Sequence, residues 1–363
     1  MVNVGITEAH GIAKEQIRYP PEGVAYKKVE SEGSFSDHLI YSSAKGVLDF
    51  YHCPEMDLLE APLFPIRTNM PWIYTPADTA SAMAFSFGPI PNPRFIRELY
   101  LKKIFQRKNF IKLLFKSQAG LKTLEEYPIL SSSEIRKKVD VLYPAVRHVP
   151  IEFLNRDPSI VRIVFAGEFF RKGGQHVVDA FLHLASFRQD INLTICASRE
   201  FDFRGPKKEE YLKKIDEHPR IDLAYYEREQ LFKDVYRRSH IFVSPTYGES
   251  FGYAILEAMA HALPIVSTNH FAIPEIVENN HSGFLIDTDE IGVSHLLGDY
   301  KISNIPVNIE RSMTGSVIKM LKVLIENPDL RSSMGMNGHK IANSKFSFSR
   351  RNDYLGKLYH EVE

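Results

Sequence analysis

The stretch IFVSPTYGESFGYAILEAMAHALPIVST, Ile241 to Thr268, decides how the chain reads. IFVS is a short apolar run of the buried parallel-strand type, PTYGES supplies a turn, and GYAILEAMAHAL has the spacing and the Ala, Leu, Met and Glu content of a helix. PIVST resumes as a strand, so the whole is a βαβ unit, in which a ligand sits beyond the carboxyl end of the strand against the helix N-terminus. Gly252 would open the helix without a Cβ, and the N–H groups of Ser250, Phe251 and Gly252, together with the helix dipole, favour an anion such as phosphate. Glu257 lies five residues further in, roughly 7–8 Å along the axis, about the span from a diphosphate to a ribose. An ionised carboxylate there can accept both vicinal hydroxyls. Glu249, before the helix, would face the hydroxyls of a transferred sugar.

In full, ESFGYAILEAMAHALPIVST resembles the E-x7-E signature of retaining, nucleotide-sugar-dependent glycosyltransferases of family 4. The resemblance implies an α/β GT-B architecture, two Rossmann-like doubly wound domains facing a central cleft. It also implies a donor site built from Gly167, Ser250, Phe251, Gly252, Tyr253 and Glu257, with Glu249, Lys172 and Arg171 serving the transfer. No metal and no cofactor are expected. The partners it implies are a nucleotide-sugar donor and a glycan or lipid-linked hydroxyl acceptor.

Upstream of that stretch, VRIVFA (Val161–Ala166) reads as a buried strand turned by Gly167 into Glu168-Phe169-Phe170-Arg171-Lys172-Gly173-Gly174. Two adjacent cations flanked by glycines can reach a diphosphate, lysine as a point charge and arginine as a fork. The loop resembles the family's G-R-x(n)-K-G segment, with Lys172 at the lysine but Glu168 where the arginine usually stands; Arg171 is the candidate substitute. Further strands are expected at 191–196, 221–226, 264–267 and 284–287, and strands alternating with helices imply a parallel sheet. The loops after Cys196 and Tyr226 are where a base should lie. Ile273-Pro274-Glu275-Ile276-Val277 and His281-Ser282-Gly283-Phe284-Leu285 resemble the family's P-E-I-V and N-G-L/F-L segments. Asp287-Thr288-Asp289 spells D-x-D but reads as a strand-end turn.

The first half is less explicit. Val2–Thr7 and Pro71–Thr75 read as strands, Ser43–Cys53 as a helical turn leading into one, and Arg18-Tyr19-Pro20-Pro21-Glu22-Gly23 as a loop after the first strand, similar to a cleft-lining loop of the family. After the second of these strands many members carry His-Asp; here Ala77 precedes Asp78, and His10 and His52 are the substitutes considered, each more simply a surface or packing histidine. From Arg94 to Lys116 eight Lys or Arg stand against one acid, Glu98, with apolar residues at helical spacing through Phe105. A basic amphipathic helix suits an anionic membrane, a phosphorylated acceptor or plain solvent. Phe110–Ser117 and Lys138–Pro144 complete the half.

The length of 363 residues allows two domains; residues 1–150 and 151–345 are expected, with 346–363 a helix returning to the first. With 45 basic and 45 acidic residues no global polyanion affinity follows, and no nucleic-acid partner is expected. Cys53 and Cys196 have no metal-ligand neighbours in sequence and read as free thiols. Asn192-Leu193-Thr194 is a sequon inside a strand pattern. No signal pattern or membrane-length apolar run is seen, so a cytoplasmic protein, peripheral on a membrane's inner face, is expected. Two rivals remain, a non-catalytic nucleotide-sugar-binding scaffold and a sugar-nucleotide epimerase of related fold.

Overall fold

The computed structural model describes residues 1–8, 12–32, 49–85, 93–201, 206–291 and 304–361. The chain divides into two compact units, 1–145 with 348–363, and 146–347; the sequence reading placed the borders at 150 and 345.

The second unit is a six-stranded sheet of β9 (Val161–Ala166), β10 (Ile191–Cys196), β11 (Ile221–Ala224), β12 (Ile241–Ser244), β13 (Ile265–Thr268) and β14 (Gly283–Ile286), ordered β11-β10-β9-β12-β13-β14. All its pairings are parallel. Strands covered on both faces are apolar throughout, and β12 and β13 are fully buried. Phe165, Phe181 and Val266 join Met313, Val317 and Leu321 of the helix Val307–Glu326 in one core. The strand order reverses between β9 and β12, the topological switch point at which doubly wound sheets bind ligands.

The first unit holds β1 (Val2–Ile6), β2 (Val24–Lys28), β4 (Leu58–Ala61), β6 (Trp72–Tyr74), β7 (Phe110–Phe115) and β8 (Val139–Val141) in the order β2-β1-β4-β6-β7-β8, also parallel. A separate pair joins β3 (Phe50–Tyr51) to β5 (Arg67–Thr68). Trp72, Phe105 and Phe110 form an aromatic cluster, with centroids 4.7 Å apart for Trp72–Phe110 and 4.5 Å for Phe105–Phe110. The helix Phe348–His360 supplies Leu355, Leu358 and Tyr359 to the opposite face, against Val2, Val4, Leu58 and Ile73.

Several sequence expectations change here. Residues Ile12–Arg18 form a helix, so the loop read after β1 is confined to its end; I-A-K-E-Q-I-R are good helix formers. The turn at Ser43 and the histidine His10 lie outside the described residues, and His52 is exposed beside the small β3–β5 pair. Asp78 caps the helix Thr79–Ala82, accepting from the Ser81 amide at 2.6 Å. The basic helix exists, Arg94–Phe105, but with a different face inward: Glu98, Leu101, Ile104 and Phe105 are buried, whereas Phe95, Ile96 and Leu99 are exposed. Among the described residues no helix is long and apolar enough to cross a membrane.

Candidate active site

Two loops flank the switch point. After β9 the chain turns at Gly167 (φ 130°) and again at Gly173 (φ 77°), where a Cβ would lie 2.3 Å from the Pro245 carbonyl oxygen. Only glycine lets the two loops touch backbone to backbone. The contact is then stitched, the Tyr247 amide donating to the Arg171 carbonyl at 3.0 Å. Beneath it the imidazole of His176 meets the Tyr247 hydroxyl at 2.5 Å and the Thr314 hydroxyl at 2.8 Å. Burial pushes the His176 pKa down to about 3, so the ring is a neutral spacer rather than a charge under the loops.

Above this floor the ammonium of Lys172 donates to Glu249 Oε2 at 2.6 Å and to the Gly248 carbonyl at 2.8 Å. Sequence reasoning assigned Lys172 to the diphosphate and Glu249 to the sugar; the structure joins them in one ion pair, both side chains about 15% exposed. Arg171 pairs with Glu168 at 3.0 Å, both half exposed, so the family-atypical acid is held by the arginine considered as the substitute cation.

The helix Tyr253–Ala260 starts from Gly252 in the left-handed region (φ 104°, ψ 44°), with no side-chain cap on its end. The expectation of three free amides there needs correcting. The Ser250 N–H donates to Glu249 Oε1 at 3.1 Å, because an acceptor one residue away reaches it first. Phe251 directs its ring into the core, 6.2 Å from Phe346, so it can offer a ligand only its backbone. Glu257, 5% exposed, is held by Arg228, whose Nε donates at 2.7 Å and whose Nη2 also bonds. The same guanidinium lies 5.1 Å from the Tyr253 ring centroid. Arg228 was missed in sequence: it stands in a short charged turn after β11, with no apolar pattern marking it.

Beside these groups opens a cavity of ≈ 470 Å³ along the carboxyl ends of β9, β10 and β11, lined by Gly167, Glu168, Ser198, Tyr225, Tyr226 and Ala254 among others. It contains the loops expected to hold a base and reaches the first turn of the helix that carries Glu257. Its size is that of a small-molecule site. Asp287 spends its carboxylate on the amides of Asp289 and Glu290, at 2.9 and 3.4 Å, the strand-end turn expected of the D-x-D triplet.

Two parallel sheets of this order with helices on their faces define the GT-B class. Solved structures of that fold superpose over the whole chain: Anabaena HepE in complex with UDP (TM-score 0.65, 13% identity, 99% of this chain and 100% of that one) and sucrose-phosphate synthase from Thermosynechococcus elongatus (TM-score 0.65, 14% identity, 100% and 99%). Residues 160–295, the part that holds the loops and the cavity, match the family model Glycosyl transferases group 1. In sequence the chain is similar to the capsular polysaccharide biosynthesis glycosyltransferase CapM of Staphylococcus aureus, 24% identical over 54% of this chain and 45% of that protein. It is also similar to D-inositol 3-phosphate glycosyltransferase of Corynebacterium jeikeium, 32% identical over 35% of this chain and 25% of the relative. The chain thus spans less than half the length of these curated relatives.

Proposed function

We propose that this chain is a retaining glycosyltransferase that moves a sugar from a nucleoside-diphosphate donor to a hydroxyl of a glycan or lipid-linked acceptor. The observation that carries the reading is the cavity at the carboxyl ends of β9–β11, which takes in the Gly167–Glu168 turn and reaches Ala254 in the first turn of the helix that carries Glu257. The base occupies the cavity, the ribose hydroxyls exchange for part of Arg228's hold on Glu257, and the diphosphate lies over the amides of Phe251 and Gly252. HepE, one of the structural neighbours, was solved with UDP, which supports a uridine donor.

Catalysis in this reading is electrostatic. The bond between the anomeric carbon and the diphosphate oxygen breaks toward an oxocarbenium-like sugar, and the acceptor oxygen attacks from the face the diphosphate leaves. The acceptor's proton passes to the departing phosphate oxygen. Lys172, released in part from Glu249, and Arg171, released from Glu168, hold the growing negative charge in place of a metal. A half-exposed ion pair such as Glu168–Arg171 is worth little, so its exchange for a diphosphate is cheap. Glu249 orients the sugar.

Incubation with UDP-, GDP- and ADP-sugars, with and without lipid and glycan acceptors, following nucleotide release and sugar identity, tests this. Acceptor-dependent transfer supports it. Donor binding without transfer or hydrolysis would instead indicate a scaffold, and interconversion of donor sugars an epimerase. Glu257→Ala should weaken donor binding about tenfold or more; an unchanged dissociation constant by calorimetry removes the ribose role.

The acceptor side has one specific support for a membrane. Phe95, Ile96 and Leu99 project from the helix Arg94–Phe105 at 56%, 38% and 52% exposure, beside Lys102 and Lys103, which gives a face both apolar and cationic. On this reading the protein works in the cytoplasm, peripheral to an anionic leaflet. Reversing the charges of Lys102, Lys103, Arg107 and Lys108 should abolish sedimentation with anionic liposomes; a wild type that does not sediment ends the idea.

A further inference from the structure

Three described residues other than glycine take a positive φ: Ala262 (52°), Phe271 (48°) and Asn280 (62°). Ala262 directly follows the C-cap of the helix Tyr253–Ala260, where left-handed residues are common, and asparagine tolerates that region. Phe271 has neither excuse. It is the first central residue of a tight turn closed by the Ile273 amide on the His270 carbonyl at 3.1 Å, with Ala272 at φ −82°, ψ −7°. Turns of this kind place glycine at that position, and a bulky side chain there is strained.

Such strain persists only where the surroundings over-determine it, and it gathers at ligand sites. Here the turn is fixed on both flanks. The Asn269 amide donates to the Ile286 carbonyl at 2.9 Å, and Asn269 Oδ1 accepts from Thr288 N at 2.9 Å and Oγ1 at 2.6 Å. On the other side the helix Ile273–Ile276 leans on the glycine joint, since a Cβ at Gly252 would meet Ile276 Cδ1 at 3.3 Å. The turn projects from the carboxyl end of β13, next to β12 and therefore next to the loop that ends in Glu249. His270 and Phe271 present their rings 6.3 Å apart. Burial lowers the pKa of His270, and the charges acting on its ring are Glu249 and Lys172, so a neutral imidazole stands beside the pair assigned to the sugar and the leaving group.

We propose that the His270–Phe271 turn is a wall of the subsite for the transferred sugar, the imidazole hydrogen-bonding a sugar hydroxyl and the phenyl ring covering the apolar face of an uncharged pyranose. This rests on the transferase reading of the site. With Glu249 opposite, a uronic acid, whose carboxylate would face that acid, is disfavoured. The strained backbone is what brings both rings to the strand end together.

The test compares wild type, Phe271→Gly, Phe271→Asn, His270→Ala and His270→Gln, using glucosyl, galactosyl, N-acetylglucosaminyl and glucuronyl donors on the nucleoside diphosphate that the wild type accepts. Phe271→Gly and Phe271→Asn should raise the melting temperature by relieving strain, yet lower kcat/KM for the best donor by about tenfold and flatten the preference among donors. Binding of the nucleoside diphosphate alone should not change. His270→Gln should retain more activity than His270→Ala. The proposal is overturned if Phe271→Gly and His270→Ala keep kcat/KM and the donor preference within about twofold of wild type. A wild type that binds no nucleoside diphosphate and turns over no donor overturns the transferase reading itself, and this subsite with it.

Discussion

The two units share a plan, six parallel strands with helices on both faces, but differ in the ionisable groups that, among the described residues, they bury without a charged partner at hydrogen-bond distance. The second unit hides imidazoles: His176, His240 and His261 are each at most 6% exposed, and burial lowers their pKa values to about 3, about 4 and about 4. The first hides a carboxylate, Glu60, at 0% exposure. Its Oε2 accepts from the Tyr359 hydroxyl at 2.8 Å and from Gln16, and Gln16 in turn accepts from Arg351 at 2.8 Å. Burial raises the pKa of Glu60. In the second unit these three imidazoles are neutral hydrogen-bonding groups, and its buried carboxylate Glu257 is paired with Arg228; in the first the Glu60 network clamps a helix to a sheet.

Acid should break this symmetry most visibly. A histidine whose folded pKa is depressed contributes stability that is present above its unfolded pKa near 6.5 and is lost as pH falls toward 3–4. At pH 5 each of the three costs the second unit about 2 kcal/mol. Glu60 runs the other way, its raised pKa giving stability below the usual carboxylate range that is lost as pH rises. Calorimetry at pH 7 and pH 5 should therefore show the second unit melting earlier in acid while the first shifts little; coincident shifts would contradict the contrast.

Substitutions probe it at decreasing scale. Lys172→Ala should lower kcat by about a hundredfold to a thousandfold, or about 3–4 kcal/mol, with a smaller loss of stability measured by denaturant. Gly173→Ala, which places a Cβ against the Pro245 carbonyl at positive φ, should destabilise the second unit by about 2–3 kcal/mol and reduce activity through the loop. Leu99→Ser on the exposed face of Arg94–Phe105 should leave stability within about 0.5 kcal/mol while weakening liposome binding, a dissociation of fold from surface that buried Leu101 would not show.

The same contrast governs what could be read from the sequence. In the second unit VRIVFA, INLTIC and IFVS are continuous apolar runs, and the E-S-F-G joint is punctuated by a glycine whose positive φ the structure requires, so strands and loops could be placed within a residue or two. In the first unit β4 is LLEA, a four-residue strand at the centre of its sheet. Its Glu60 reads as surface, and the Gln16, Arg351 and Tyr359 that make its burial tolerable are scattered along the chain. β2, VAYKK, is an edge strand whose last residues are solvated, so no alternation marks it. For the site, the sequence pointed to Lys172, Glu249 and Glu257 as candidates. It could not show that Lys172 and Glu249 would pair, that Arg228 would reach Glu257 across 29 positions, or that Phe271 would take a glycine's backbone.

The return of residues 348–363 to the first unit bears on how the chain is made. During synthesis, β1 and β4 are made about 300 residues or more before Leu355, Leu358 and Tyr359 arrive to cover them, so that the amino-terminal sheet must wait with one apolar face open while the intervening unit is translated and folds. A nascent chain stalled at 347 should therefore bind chaperones through that face, and release of the final helix should end the association.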